Sequence, residues 1–365
     1  MSGWDCLAVV SPGLEPAALA EAVELGLERP RIMHGGVQFR ADEKGAMKAC
    51  LWMRVATTVR LRLASFPAES RRRLEEGLLA IDWQRWLPQE KAEISCTAAR
   101  SRLRHTGMLA EMAERAAGRK LQKGTGGIHL RLDRDRAQVS VDLAGERLHR
   151  RGWRQEGGRA PLRETLAAGI LRLAEWKPDE PLCDPMCGSG TFVIEAALAA
   201  LRVPPGLDRA FAFQALPAFR NAGWRELLEE SRSGMKHVLP ARIFGSDRNG
   251  GAVGSARRNA ERAGVEGIVE IDRRDVSEAA PPSGVGPGLL VTNPPYGGRL
   301  GPDPDELMGL YEALGATIGE RFSGWRAFVL APHRALGEAT GLRVDEAARL
   351  DNGGLRVTLF RLTSG

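Results

Sequence analysis

Five short apolar runs alternate with helical segments from Pro161 onward, and this alternation constrains the fold more than any other feature. They are "PLCD" (181–184), "RIFGSD" (242–247), "IVEIDR" (268–273), "GLLVTN" (288–293) and "RAFVLAP" (326–332). Strands that alternate with helices build a parallel, doubly wound sheet. Two further runs, "LRVDEAARL" (342–350) and "LRVTLFRL" (355–362), are separated only by "DNGG". So short a glycine-rich turn joins antiparallel neighbours. The expectation is a seven-stranded sheet that ends in an antiparallel hairpin.

Ligands of open α/β sheets sit outside the carboxyl ends of the strands, so the strand tips hold the candidate residues. The first tip reads "CDPMCGSGTFVIEAALAALR", with Asp184 ahead of a turn containing Gly188 and Gly190 and then a helix. The glycines let backbone approach a ligand, and the helix start offers unpaired N–H groups. No lysine follows the second glycine and the full G-x-G-x-x-G is missing, which argues against a phosphate loop. Asp184 would also repel a pyrophosphate, whereas it suits a ligand bearing an ammonium and a positively charged sulfur.

The second strand ends at Asp247, where doubly wound folds hold a ribose by its hydroxyls. The third is followed by Asp275 and Val276, a carboxylate for an adenine amino group and a backbone N–H beside it. Together these tips describe a nucleoside carrier without phosphates. Each alone is more often a helix cap or a surface acid than a ligand group.

The fourth strand runs into "LLVTNPPYGGRL" (289–300). Prolines have no N–H, so Pro294 and Pro295 end the strand and let a carbonyl turn outward. The Asn293 carboxamide oxygen and the Pro294 carbonyl then make two acceptors for the hydrogens of an exocyclic amine. Tyr296 offers a stacking surface for a base, and Gly297 and Gly298 leave room for it to enter. Between the first helix and second strand, residues 203–241 form an unusually long connection, read as a packed insertion in which Phe211, Phe213 and Trp224 could cluster.

The first 160 residues have a different character. "CLAVV" (6–10), "GVQFRA" (36–41) and "VATTVRLRLASF" (55–66) read as strands around the helical "AALAEAVELGL" and "EKGAMKACLWM", a β-α-β-α-β unit. A helix "ESRRRLEEGLLA", a strand "AEISCTA", a helix "MLAEMAERAAGRKLQK" (108–123) and a hairpin of "IHLRLD" and "AQVSVDLAG" around "RDR" follow. "ERLHRRGWRQEGGRAP" (146–161) reads as a last strand plus a linker. Residues 71–154 hold 19 Lys and Arg against 11 Asp and Glu, although the whole chain of 365 residues carries only +6. Such asymmetry points to one module that meets a polyanion and another with a different task; a solvated basic face is the alternative.

Composition excludes several classes. No run of about 18 apolar residues without charges suggests a membrane span. The N-terminus lacks the basic flank and apolar core of a secretory signal, so a cytoplasmic location is expected. The five cysteines (Cys6, Cys50, Cys96, Cys183, Cys187) suit reduced thiols, and the "CDPMC" spacing does not suit zinc.

On "DPMCGSGT", the acidic tips, "NPPY" and the join "RGWRQEGGRAPLRETLAAGIL", the chain resembles THUMP-domain class I S-adenosylmethionine-dependent RNA methyltransferases. Within that group it is most similar to the bacterial 23S rRNA guanine-N2 methyltransferases. The resemblance implies a ferredoxin-like N-terminal unit (1–65), a THUMP RNA-binding domain (66–156) and a class I methyltransferase domain (160–365). It also implies S-adenosylmethionine as cofactor, RNA as partner and no metal. Asp184, Pro185, Met186, Cys187, Gly188, Ser189, Gly190 and Thr191 would line the methionine and ribose, with Thr165 on the helix that closes over them. Asp247 and Arg248 would meet the ribose, Asp275 and Val276 the adenine, and Asn293, Pro294, Pro295 and Tyr296 the target amine, with Asn293 also touching the cofactor. The family also tends to carry an Asn-Gly before the last strand, here Asn352-Gly353. The candidate RNA contacts are Arg100, Arg102, Arg104, Lys120, Lys123, Arg151 and Arg154. Guanine N2 in 23S rRNA is the expected target. Transfer RNA guanine N2, DNA adenine N6, protein glutamine and a non-catalytic role in ribosome assembly are the alternatives.

Overall fold

The computed structural model describes residues 3–89, 91–124, 126–156, 162–220, 223–297 and 303–364. The chain divides into two compact units: Met1–Val10, Ala18–Leu148 and Asp208–Glu229 form one, while Ser11–Ala17, His149–Leu207 and Glu230–Gly365 form the other.

The first unit starts β1 (Trp4–Val9), α1 (Glu15–Glu24), β2 (Glu28–Met33), β3 (Gly36–Ala41), α2 (Glu43–Trp52), β4 (Thr58–Pro67). Paired antiparallel in the order β2-β3-β1-β4, it is the β-α-β-β-α-β ferredoxin-like arrangement. The sequence reading missed β2. Its residues "ERPRIM" are almost all exposed, among the described residues it pairs only with β3, and Pro30 interrupts its register, the marks of an edge strand.

The chain continues through α3 (Arg71–Leu79), α4 (Trp83–Trp86), β5 (Glu93–Ala99), α5 (Thr106–Ala117), β6 (Gln122–Lys123), β7 (Ile128–Asp133) and β8 (Arg136–Asp142). β8 pairs with β4, so one eight-stranded sheet, β2-β3-β1-β4-β8-β7-β5-β6, runs through residues 4–142. The boundary expected at residue 65 is therefore crossed by backbone pairing, and both parts belong to one compact unit. The β7–β8 turn places Arg134 at φ 50° and Asp135 at φ 57°, the left-handed pair a two-residue hairpin needs. α5 stops earlier than expected, because Gly118 takes the left-handed cap at φ 65°. Lys120 and Lys123 thus lie beyond it. Nor do residues 146–156 contain the strand expected of them.

The long connection returns to this unit. Phe211 and Phe213 stack at 5.3 Å, Trp224 meets both edge-on, and Phe219 joins Phe213 to Trp4, which packs on Trp86. The aromatic anchor expected at Phe211, Phe213 and Trp224 is present and larger than the sequence suggested.

The second unit contains α6 (Glu164–Leu173), β9 (Leu182–Asp184), α7 (Thr191–Ala200), the end of α8 (Trp224–Ser233), β10 (Ile243–Asp247), α9 (Gly250–Arg262), β11 (Glu270–Arg273), β12 (Leu289–Thr292), α10 (Pro304–Arg321), β13 (Arg326–Ala331), α11 (Arg334–Glu338), β14 (Arg343–Asn352) and β15 (Leu355–Thr363). Its sheet runs β11-β10-β9-β12-β13-β15-β14. The five strands from β11 to β13 are parallel and β15 is antiparallel to both neighbours, as the alternation and the "DNGG" turn required. β9 and β12 are buried throughout, which matches unbroken apolar runs covered on both faces. Among the described residues no helix is long and apolar enough to cross a membrane, and no cluster of three His, Cys, Asp or Glu could hold a metal ion.

Candidate active site

β9 and β12 are neighbours at the centre of the sheet, so their carboxyl ends bring the glycine loop and the "NPPY" segment side by side. Asp184 closes β9 and is 2% exposed. Its Oδ1 accepts the Thr292 hydroxyl at 2.7 Å and the Met186 N–H at 3.2 Å. Burial pushes its carboxyl up to about 7 against the pull of both hydrogen bonds, and the Asp247 charge adds to the rise. Asp184, expected from sequence as a carboxylate beside the loop for an ammonium, is thus also a buried fastener that ties the loop to β12 through Oδ1.

The loop folds tightly on β10. Cys187 donates its N–H to the Ser246 carbonyl, and Gly190 donates to the Cys187 carbonyl, both at 2.8 Å. Gly188 and Gly190 adopt φ 53° and 83°. A Cβ at Gly190 would lie 3.2 Å from Ala256 and 3.3 Å from Ile194, whereas one at Gly188 would meet nothing within 4 Å among the described residues. Gly190 thus serves packing, and Gly188 borders open space. Pro185 is buried; Met186 and Ser189 are half-buried. Burial raises the Cys183 and Cys187 thiols well above their ordinary range, which keeps both neutral.

Asp247 accepts the Gly188 N–H at 3.0 Å on Oδ2 and the Asn249 N–H at 2.8 Å on Oδ1, tying the β10 tip to the loop. Arg248 beside it is exposed. Asp275 caps the short turn Val276–Glu278, and its Oδ1 accepts both the N–H and the hydroxyl of Ser277. These bonds hold its carboxyl below the usual range. Val276 is buried, and its carbonyl accepts the Thr317 hydroxyl at 3.0 Å. Thr165, in the first turn of α6, is fully buried, and its hydroxyl has no hydrogen-bond partner among the described residues. An orphaned buried hydroxyl of this kind calls for a ligand.

In the "NPPY" segment the Asn293 Oδ1 accepts the Tyr296 hydroxyl. Burial raises the Tyr296 phenol, and the Asn352 side chain sits within hydrogen-bonding reach of it. The Asn-Gly of the last hairpin thus arrives at the same place. Pro294 is buried, Pro295 is exposed, and the Pro295 carbonyl accepts the Tyr311 hydroxyl at 3.4 Å from α10. Gly297 takes φ 78°; Gly298 lies outside the described residues.

Two of the expected RNA contacts are corrected. The Arg151 side chain is 2% exposed and pairs with the buried Glu195 at 3.2 Å. Arg154 is 12% exposed, pairs with Glu164 at 3.3 Å, and donates to the Thr191 hydroxyl at 2.8 Å. Both guanidinium groups are committed inside the second unit, out of reach of a phosphate. The other five belong to the first unit. Lys120 and Lys123 are exposed; Arg100 is exposed and bidentate to Asp133, and Arg102 pairs with Asp135 at 3.5 Å. Arg104 donates to the Ser101 carbonyl at 3.0 Å. The sequence reading missed Thr292, Asn259 and Glu156, whose roles depend on contacts that no local pattern announces.

An unpartnered Thr165 hydroxyl, open space over Gly188 and carboxylates at three adjacent strand tips fit S-adenosylmethionine. The comparisons with known proteins agree. The model of the "RMKL-like, methyltransferase domain" family matches residues 151–361, and that of the "RlmL ferredoxin-like domain" matches residues 5–60. The chain is 33% identical to slr0064 of Synechocystis sp., which carries an RNA methyltransferase name, over 97% of this chain and 95% of that protein. It is 35% identical to ribosomal RNA large subunit methyltransferase K/L of Aliivibrio fischeri, over 96% of this chain but only 52% of that protein. The chain thus spans about half the length of the K/L relatives. Among solved structures, SMU.472 complexed with SAH superimposes with a TM-score of 0.88 at 29% identity, covering 100% of this chain and 99% of that one. A Listeria monocytogenes protein named for N6-adenine-specific DNA methylation gives 0.88 at 27%, covering 100% and 97%.

Proposed function

Because this chain belongs to the RMKL-like methyltransferase family, we propose that it transfers a methyl group from its cofactor S-adenosylmethionine to the exocyclic N2 amine of a guanine in RNA, with cytoplasmic 23S rRNA as the substrate. The observation that carries this reading is the adjacency of the two tips: Asn293 directly follows Thr292, which is bonded to Asp184 at the mouth of the glycine loop.

The cofactor, when bound, supplies an electrophilic methyl on a sulfonium. The chain's own residues prepare the acceptor nitrogen. The Asn293 oxygen and the Pro294 carbonyl accept the two N–H hydrogens of the amine, which favours a tetrahedral nitrogen and frees its lone pair from the ring. The freed lone pair would accept the methyl that the sulfonium releases, and the surplus N–H proton would leave to solvent. No strong base is required. To reach Asn293 the amine takes the place of the Tyr296 hydroxyl, and the displaced phenol ring is then available to stack on the base. A paired guanine cannot present N2 in this way, so an unpaired or flipped base is the substrate form.

The basic part of the first unit, residues 66–156, is assigned as a THUMP module that grips RNA phosphates through Arg100, Arg102, Arg104, Lys120 and Lys123. The rRNA named for the K/L relatives and the RNA methyltransferase name of slr0064 support RNA over DNA. The test is Asn293→Ala. Turnover should fall by about 100-fold or more, while the S-adenosylmethionine Kd stays within about twofold; full activity would remove Asn293 from the mechanism.

A further inference from the structure

Residues 151–156, read from sequence as part of a last strand plus linker that carries two RNA contacts, form a strap that lies inside the methyltransferase unit. They form no helix or strand, yet their side chains are fixed at both ends. Arg154 Nη2 donates to the Leu162 carbonyl at 2.5 Å, just before α6, and to the Thr191 hydroxyl at 2.8 Å, on the first residue of α7. Its Nε pairs with Glu164 at 3.3 Å. One side chain therefore joins the start of the helix bearing Thr165 to the helix that follows the glycine loop.

Two residues further on, Glu156 is pinned to α9. Its carboxylate accepts from Arg258, from Arg262 at 2.8 Å and from the Ser255 hydroxyl at 3.2 Å. These bonds pull its carboxyl down to about 2. The Glu156 carbonyl accepts Asn259 Nδ2 at 3.0 Å, and the same amide nitrogen donates to the Ser189 carbonyl at 3.1 Å. Asn259 is fully buried. Ser189 and Thr191, on either side of Gly190, are thus both tied to the strap, one through Asn259 and one through Arg154. Loops carrying left-handed glycines are loose on their own, so their shape depends on such ties.

We propose that Arg154 and Asn259 are positioning residues for S-adenosylmethionine, holding the Ser189–Thr191 loop and the Thr165 helix in the arrangement that receives it. Neither acts on the reacting atoms. Their loss therefore weakens cofactor binding and leaves the chemical step largely intact once the cofactor is saturating.

The test uses the full chain with Asn259→Ala, Arg154→Gln, Arg154→Lys and Arg258→Ala, measuring the S-adenosylmethionine Kd by calorimetry and the ligand-free unfolding midpoint. Asn259→Ala and Arg154→Gln should raise the Kd about tenfold or more, Arg154→Lys less, and kcat at saturating cofactor should stay within about threefold. Arg258 is about half exposed, so Arg258→Ala weakens the Glu156 anchor without emptying a buried site and should raise the Kd severalfold with the fold intact. An unchanged Kd in whichever of these variants keeps the wild-type midpoint overturns the proposal. So does a kcat that falls with an unchanged Kd.

Discussion

Thr292 donates its hydroxyl hydrogen to Asp184 across 2.7 Å, joining the tip of β12 to the tip of β9. Asn293 is the next residue along the chain, so the bond sets the distance between the segment assigned to the amine and the loop assigned to the cofactor. Thr292→Val keeps the side chain's shape and removes the donor. Leaving a buried carboxylate short of a partner costs about 1–3 kcal/mol, and urea unfolding should show that loss. A variant as stable as the wild type would show that the contact does not contribute.

Asp184 also makes stability depend on pH. Its carboxyl titrates near 7 in the folded chain, against about 3.9 when unfolded. The folded state therefore binds this proton more tightly, and the resulting stabilisation is complete below about pH 4. It fades as pH rises through about 7. Asp184→Asn has no charge to bury, so relative to it the wild type should lose stability between pH 4 and 7. A constant difference between the two urea-unfolding curves across that range would contradict the burial of an ionisable group here.

The basic residues should fall into two kinds. Arg151→Ala removes a buried partner of the Glu195 carboxylate and should cost about 3 kcal/mol of stability. Lys120→Ala and Lys123→Ala should leave stability unchanged, weaken RNA binding on every sequence tested, and each reduce the slope of log affinity against log salt by about one. Salt-independent binding would remove phosphate contacts from the account.

Tyr296→Phe deletes the hydroxyl that occupies Asn293 and keeps the ring. Cofactor affinity should be unchanged and turnover within about tenfold of wild type, because the amine no longer has to displace a hydrogen bond. Tyr296→Ala should lose RNA affinity as well, through the missing stack, worth about 1–3 kcal/mol. Equal behaviour of the two variants would deny the ring a role.

The doubly wound sheet was legible because its inner strands are short, apolar and spaced by helices, and the antiparallel end because "DNGG" permits only a hairpin. The strand-tip residues followed from that topology. What stayed hidden depends on tertiary contact. Arg151 and Arg154 look like their basic neighbours in sequence, and only burial beside Glu195 and Glu164 separates them from phosphate binders. The fastening role of Asp184 stayed hidden because Thr292, 108 positions away, is not visible from its surroundings. The edge strand β2 escaped notice because exposed charged residues and a proline carry no strand periodicity.

The identity of the methylated atom decides the proposed function most directly. The purified chain should be incubated with isotopically labelled S-adenosylmethionine and unmodified 23S rRNA, and the product digested to nucleosides for mass spectrometry. Label is expected in N2-methylguanosine, absent with Asn293→Ala. Label in N6-methyladenosine, the modification suggested by the name of the Listeria protein, or label in no nucleoside, would contradict that function.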